Sequence, residues 1–248
     1  MAGSTGERRP WAPHAGFESV PISMDLRSLR LVSLGRWCYP RGLIDPPVAV
    51  EFAGAPLRLY ERGVWIPGDE YWGEPGDVVP VPVVDVIAGG ARRGHEFEQL
   101  LPGGDDPDAR DVIEEALALR DGGQHERAEA VLRGVAEWDP LCLDAHAHLG
   151  LLAFAAGDVE AALAYYAAGV WVAEQSLPED FDGVLSWGWV DNRPFLRCLH
   201  GLMISAWRFG ELEQGETLCW ALLWLNPGDH LGASDLLAKL IAGEPWHP

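Results

Sequence analysis

The chain has 248 residues, 48% of them apolar and 23% charged, a composition that excludes a fibrous or wholly disordered protein. Acids outnumber bases 38 to 18, and a net charge of −20 opposes the counterion release that drives binding to nucleic acid or to an anionic membrane. Neither partner is expected.

Residues 1–19 read as a flexible N-terminus: Arg8 and Arg9 are not followed by an apolar stretch. No run reaches about 18 apolar residues, so a cytoplasmic location is expected. Cys38, Cys142, Cys198 and Cys219 stand singly, which predicts free thiols and neither a metal nor a cofactor.

Residues 20–90 alternate short apolar runs with Pro and Gly clusters. Leu29–Leu34, Val48–Phe52, Leu57–Tyr60 and Val78–Ile87 read as strands, with a hairpin loop at Ala53–Pro56 and a turn at Glu61–Gly63. Prolines 80 and 82 keep the last run from being a central strand throughout. The whole reads as a small β-rich unit of unknown family that leans on the rest of the chain. Residues 91–108 follow as a linker, punctuated by Gly89-Gly90 and by Pro102-Gly103-Gly104, with a short helical turn expected from Glu96 to Leu101. Charge changes at the same place: residues 1–100 hold 13 acids and 10 bases, and 101–248 hold 25 and 8.

Beyond the linker the period becomes helical. Asp106 and Pro107 can open a helix that places Val112, Ala116 and Leu119 on one face and ends at Gly122-Gly123. A second helix, about Glu126 to Glu137, gathers Ala128, Val131, Leu132 and Val135 and stops before Asp139-Pro140. Comparing the chain with itself then shows Gly123, Ala128 and Leu132 recurring 34 residues later as Gly157, Ala162 and Tyr166.

A 34-residue helix–turn–helix period resembles the tetratricopeptide repeat (TPR) family. The second unit reads His146-x2-Leu149-Gly150-x2-Ala153 with Ala162-x3-Tyr166, and the third reads Leu199-x2-Leu202-Met203-x2-Ala206 with Gly210, Gly215-x3-Cys219 and Pro227. The first is looser, with Ala128-x3-Leu132 and Pro140. The stretch Asn192–Arg197, with Gly201-Leu202, Trp207, Gly210 and Leu225–Asp229, is similar to the final repeat of bacterial TPR proteins similar to suppressor of tumorigenicity 7. The resemblance implies an all-α helical-hairpin solenoid over 109–242, three repeats plus a capping helix from about Gly232 to Ala242, and a short tail at 243–248. The fold class expected is α+β.

Gly157 and Gly210 lie 53 residues apart, 19 more than the period, so an insert is expected at about 175–193. It mixes acids with Phe181, Trp187 and Trp189, and insertions in repeat proteins commonly individualise binding.

What the resemblance implies about function is protein or peptide binding along the concave surface lined by the first helix of each unit. Carried onto this sequence, that surface comprises Arg110 and Leu117, then His148, Leu151 and Phe154, then Arg197, His200, Ile204, Trp207 and Arg208. Of the lysines and asparagines with which chaperone-binding members clamp a terminal carboxylate, only Arg197 has a comparable chemistry. An apolar floor with a basic end suits instead a peptide carrying an acid near one end.

Chemistry is sparse elsewhere. His146 and His148 are two residues apart in a helix and point to different sides, and His146 stands where the repeat has a core aromatic, so packing accounts for it. Asp105-Asp106-Pro107-Asp108 lacks the glycine and the glutamate of a calcium loop. No phosphate-binding loop or nucleophile elbow occurs. The expectation is therefore a non-enzymatic adaptor or scaffold that binds a protein or peptide partner through the groove and the insert, with Trp187 and Trp189 as anchors. The alternative is an enzyme or small-ligand-binding protein with a site between the β-rich unit and the solenoid, around Arg36–Arg41 or Asp69–Trp72.

Overall fold

The computed structural model describes residues 55–69, 78–99 and 112–247. Over those residues the chain is mostly helical, with eight helices and one two-stranded antiparallel sheet. The runs Leu29–Leu34 and Val48–Phe52, the segments Arg36–Arg41 and Glu70–Trp72, the helix start at Asp106-Pro107, and Arg110 lie outside the described residues.

Strand β1, Leu59–Trp65, pairs with β2, Arg92–Phe97, so that Leu59 faces Phe97 and Trp65 faces Arg92. The turn expected at Glu61–Gly63 is instead an irregularity inside β1. The register shifts between Glu61 and Gly63, and Gly63, at φ +96°, absorbs the extra residue of the bulge. The first part of the expected linker is likewise strand β2, and Glu96 and Phe97 end that strand rather than opening a helical turn. Gly94, Glu96 and Phe97 are buried there, a packing role that the flanking glycines obscured.

The valine-rich run expected as a strand is helix α1, Val81–Ile87. Pro80 precedes the helix and Pro82 falls in its first turn, where a missing N–H costs nothing. Val83, Val86 and Ile87 then share one buried face at helical spacing, which decided the outcome against β-branched propensity. α1 packs on the last two helices of the chain.

Seven further helices follow: α2 (Val112–Asp121), α3 (His125–Trp138), α4 (Leu143–Ala156), α5 (Val159–Ser176), α6 (Arg193–Phe209), α7 (Leu212–Leu225) and α8 (Ala233–Ile241). Each packs on the next, and α4 also packs on α6. Links of two or three residues join α2 to α3, α4 to α5 and α6 to α7.

These three links share one geometry. Gly123, Gly157 and Gly210 all adopt a left-handed conformation (φ +75°, +85° and +101°). The residue after each donates its N–H five residues back, Gln124 to Leu119, Asp158 to Ala153 and Glu211 to Ala206, at 2.8, 3.0 and 2.9 Å. That bond satisfies a carbonyl left open at the helix end, and a Cβ would strain the backbone there.

Trp65, Val83, Val86, Ile87 and Phe97 from the sheet and α1 belong to the same apolar core as α5, α6, α7 and α8. A smaller cluster of Ile113, Ala116, Leu132, Val135, Cys142, Ala145 and Leu149 joins α2 and α3 to α4.

The expected insert begins two residues late, because α5 runs through Ser176. From Leu177 it crosses to the sheet, where His95 N donates to Val184 O and Val184 N to Arg93 O, both at 2.8 Å, placing Val184 beside β2. Asn192, fully buried, fastens the far end: its Nδ2 donates to His95 O and Ser186 O, and its Oδ1 accepts from Phe97 N. The aromatics expected to be displayed are half-buried: Phe181 meets His95 edge-on at 5.1 Å, and Trp189 covers Gly94, where a Cβ would stand 2.1 Å from the indole.

Candidate functional site

Two helices build the site. In α4, burial drops along Asp144, Leu151 and Ala155; in α6 it drops along Arg193, Arg197, His200, Ile204 and Arg208. Both stripes follow the three-to-four-residue spacing of one helical face. α4 and α6 lie side by side because small residues let the intervening α5 come close. A Cβ on Gly150 or Gly201 would stand 2.6 or 2.2 Å from the ring of Tyr166, so that ring fills the space both glycines leave.

Polar contacts tie the two stripes together. Arg197 Nη1 donates to Asp144 Oδ1 at 3.0 Å, with the side chains 40% and 22% exposed. His148 Nε2 lies 3.8 Å from the same oxygen, yet burial first, and then Arg197 and Arg120, hold its pKa down at about 4. The carboxylate is already committed to Arg197, so His148 is neutral at pH 7. Burial alone lowers His200 as well. At the other end Arg208 Nη1 donates to Phe154 O at 2.9 Å, and its guanidinium lies 4.7 Å from the centre of the Phe154 ring.

Of the residues expected to bind a partner, the structure therefore brings together His148, Leu151, Phe154, Arg197, His200, Ile204 and Arg208. Leu151 is 43% exposed. Trp207 is only 6% exposed, and its indole N–H donates to Glu244 O at 2.8 Å. Leu117, on α2, packs against the smaller cluster. Trp187 stacks under Arg193 and Arg197, at 5.4 and 5.7 Å, and joins the α6 stripe at its start; Trp189 is spent on Gly94.

Three further residues stand out. Asp144 holds Arg197. Trp138, at the end of α3, is 71% exposed, the most of any tryptophan described. Trp246, beyond α8, packs edge-on against Phe154 at 5.6 Å and under Arg208 at 4.8 Å. The sequence signal for it was Pro245-Trp246 placed just after Gly243, which turns the chain out of α8 at φ +68°.

Family models, curated proteins and solved structures were compared with the chain, and none matches.

A second polar feature lies where the sheet meets α7. The Arg92 guanidinium is stacked 3.9 Å from the Trp224 ring centre and 5.5 Å from that of Trp65. Its three nitrogens are buried with no hydrogen-bond partner, and burial lowers its pKa to about 10 against the opposing pull of Asp182. His95, on the same strand, has a buried Nδ1 without a partner and a pKa lowered mainly by burial.

The remaining nucleophile candidates are quiet. Cys142, Cys198 and Cys219 are free, buried, and pushed up by that burial, Cys142 to about 11, so none is a thiolate at neutral pH. His146 is buried with Nε2 on Pro140 O at 2.8 Å. Among the described residues no three His, Cys, Asp or Glu side chains gather as a metal site, and no helix is long and apolar enough to cross a membrane.

Proposed function

We propose that the chain is a non-enzymatic adaptor that binds a peptide or protein partner on the joint face of α4 and α6, and that α2–α8 form a TPR-type helical-hairpin solenoid. The observation that carries this reading is the side-by-side placement of α4 and α6, the first helices of successive pairs, with Tyr166 filling the gap between Gly150 and Gly201. The three equivalent glycine turns favour the same reading. Repeat arrays bury their apolar faces only by stacking, and the surface left along the first helices is concave and available to a ligand.

The face offers an apolar centre, Leu151 and Ile204, with a guanidinium toward each end, Arg197 and Arg208. Desolvated aromatic and apolar anchors supply most binding energy at such surfaces, and arginines select acids. A partner segment with one apolar anchor and an acidic residue fits. The test is affinity purification of the tagged full chain from its native host at low and moderate salt, beside Leu151→Glu. A stoichiometric partner retained by the wild type and lost from a normally folded variant supports the reading; a partner held equally by both rejects this face.

The second reading, a small-ligand site between the sheet and the helices, is favoured by the unpartnered Arg92 guanidinium between Trp65 and Trp224. A buried cation without an acceptor is costly, and an anion is the ligand that would relieve it. A thermal-shift screen with phosphate, small carboxylates, nucleotides and sugars tests this. Stabilisation that disappears in Arg92→Met supports it, and no stabilisation by any of them rejects it.

A further inference from the structure

The segment after α8 lies on the very end of the face just described. Gly243 and Glu244 close α8 in a left-handed turn, with Glu244 N donating to Lys239 O at 3.0 Å, and the chain then runs back toward α6 and α4. Two contacts hold it. The Trp207 indole N–H donates 2.8 Å to the main-chain carbonyl of Glu244, and two residues later the Trp246 ring meets Phe154 edge-on and stacks under Arg208. Gly243, Glu244, Pro245 and His247 remain exposed, and Trp246 is half-buried.

Trp246 and Phe154 pack at the rim of the main core, while the backbone from Gly243 to Pro245 stays exposed, as in a docked peptide. Recognition uses one backbone acceptor and one aromatic ring, with a proline between them that fixes the spacing in an extended form and lowers the entropy lost on docking. Arg208 presents its guanidinium to both rings while its Nη1 is held on Phe154 O, so two contacts with α4 aim the cation at the Trp246 ring.

We propose that Phe154, Trp207 and Arg208 form a recognition site for a short extended peptide of the form x-Pro-aromatic, and that the chain's own Glu244-Pro245-Trp246 occupies it as an intramolecular competitor. The proposal rests on the reading of the α4–α6 face as a peptide groove and names the chemistry of its partner. A partner must displace the tethered segment, so its apparent affinity is reduced by the fraction of molecules in which the site is filled.

The test uses a fluorescein-labelled synthetic peptide Gly-Glu-Pro-Trp-His-Pro, the sequence of residues 243–248, titrated by anisotropy against the full chain and against Trp246→Ala. The variant is expected to bind it about tenfold more tightly than the wild type, because its own ring no longer competes. The same peptide with alanine in place of tryptophan is expected not to bind, and adding Trp207→Phe, which keeps a ring but removes the donor, is expected to weaken binding of the original peptide. Equal binding by wild type and Trp246→Ala, or equal binding of the alanine peptide, overturns the proposal. Its failure is distinct from that of the adaptor reading: a partner whose capture depends on Leu151, with no binding of the hexapeptide, removes the site and leaves the groove. Hexapeptide binding without any cellular partner does the reverse.

Discussion

Gly201 lies against the face of Tyr166 so closely that a Cβ would stand 2.2 Å from the ring carbon Cζ. Gly201 is on α6 and Tyr166 on α5, so this one approach fixes how near the two helices come and, through them, where α6 lies beside α4. Gly201→Ala is expected to destabilise the fold by about 1–3 kcal/mol through overpacking. Gly150→Ala should act in the same direction. Thermal unfolding of Gly201→Ala in the native and Tyr166→Leu backgrounds checks the cause, since the penalty should shrink when the ring is gone.

Asn192 makes three hydrogen bonds from a fully buried side chain and joins β2, the insert and the start of α6. Asn192→Ala leaves the Phe97 N–H and the His95 and Ser186 carbonyls without that partner, a loss of about 2–3 kcal/mol. Urea unfolding should show it as a lower midpoint. Hydrogen exchange should quicken first at Phe97.

Stability is expected to fall as the solution is acidified. His148 titrates near 4 in the folded chain against 6.5 ordinarily, so below pH 6.5 the unfolded chain takes up a proton that the folded chain refuses. The contribution is intact above pH 6.5, is lost progressively down to about pH 4, and amounts to about 3 kcal/mol. His146 and His200 are shifted the same way and add to the slope. His148→Leu should flatten the acid limb of stability against pH, measured by urea unfolding between pH 7 and pH 4.

Arg197 and Asp144 form an ion pair that is partly exposed, so its coupling is expected to be small. A double-mutant cycle with Arg197→Met and Asp144→Asn should give about 0.5–1 kcal/mol, diminished by salt. In partner binding the effect of Arg197→Met should exceed its effect on stability. That inequality marks a residue on a recognition face.

The helical half was legible because its signals are local and periodic. A glycine required at a left-handed turn recurs at 123, 157 and 210, and apolar residues at three-to-four spacing place α2 to α8 close to where the structure has them. The stripe from Arg197 to Arg208 was expected only from the resemblance to tetratricopeptide repeats, not from the spacing itself.

The sheet region was legible only in part: the strand expected at Leu57–Tyr60 overlaps the start of β1, but elsewhere local propensity and tertiary contact pull apart. Val81–Ile87 has β-branched composition but only its helical face has a core to meet, and Arg92–Phe97 sits among glycines yet gains a partner in β1 and another in Val184. Trp187 and Trp189 were read correctly as loop aromatics, but sequence does not reveal that Gly94 leaves room for one ring and two arginines cover the other. Trp246 reads in the sequence as another loop aromatic able to anchor an interface, but what it packs on does not show there. Its target, formed by Phe154 and Arg208, exists only once α4 and α6 are side by side.

The central claim is that the α4–α6 face meets a partner, and the most direct measurement places a photo-crosslinking amino acid at Leu151 or, as a control, at exposed Glu213 on α7, in the full chain expressed in its native host. The expected result is one dominant adduct from position 151 and none of it from position 213. No adduct from position 151, or the same adducts from both positions, would contradict the account.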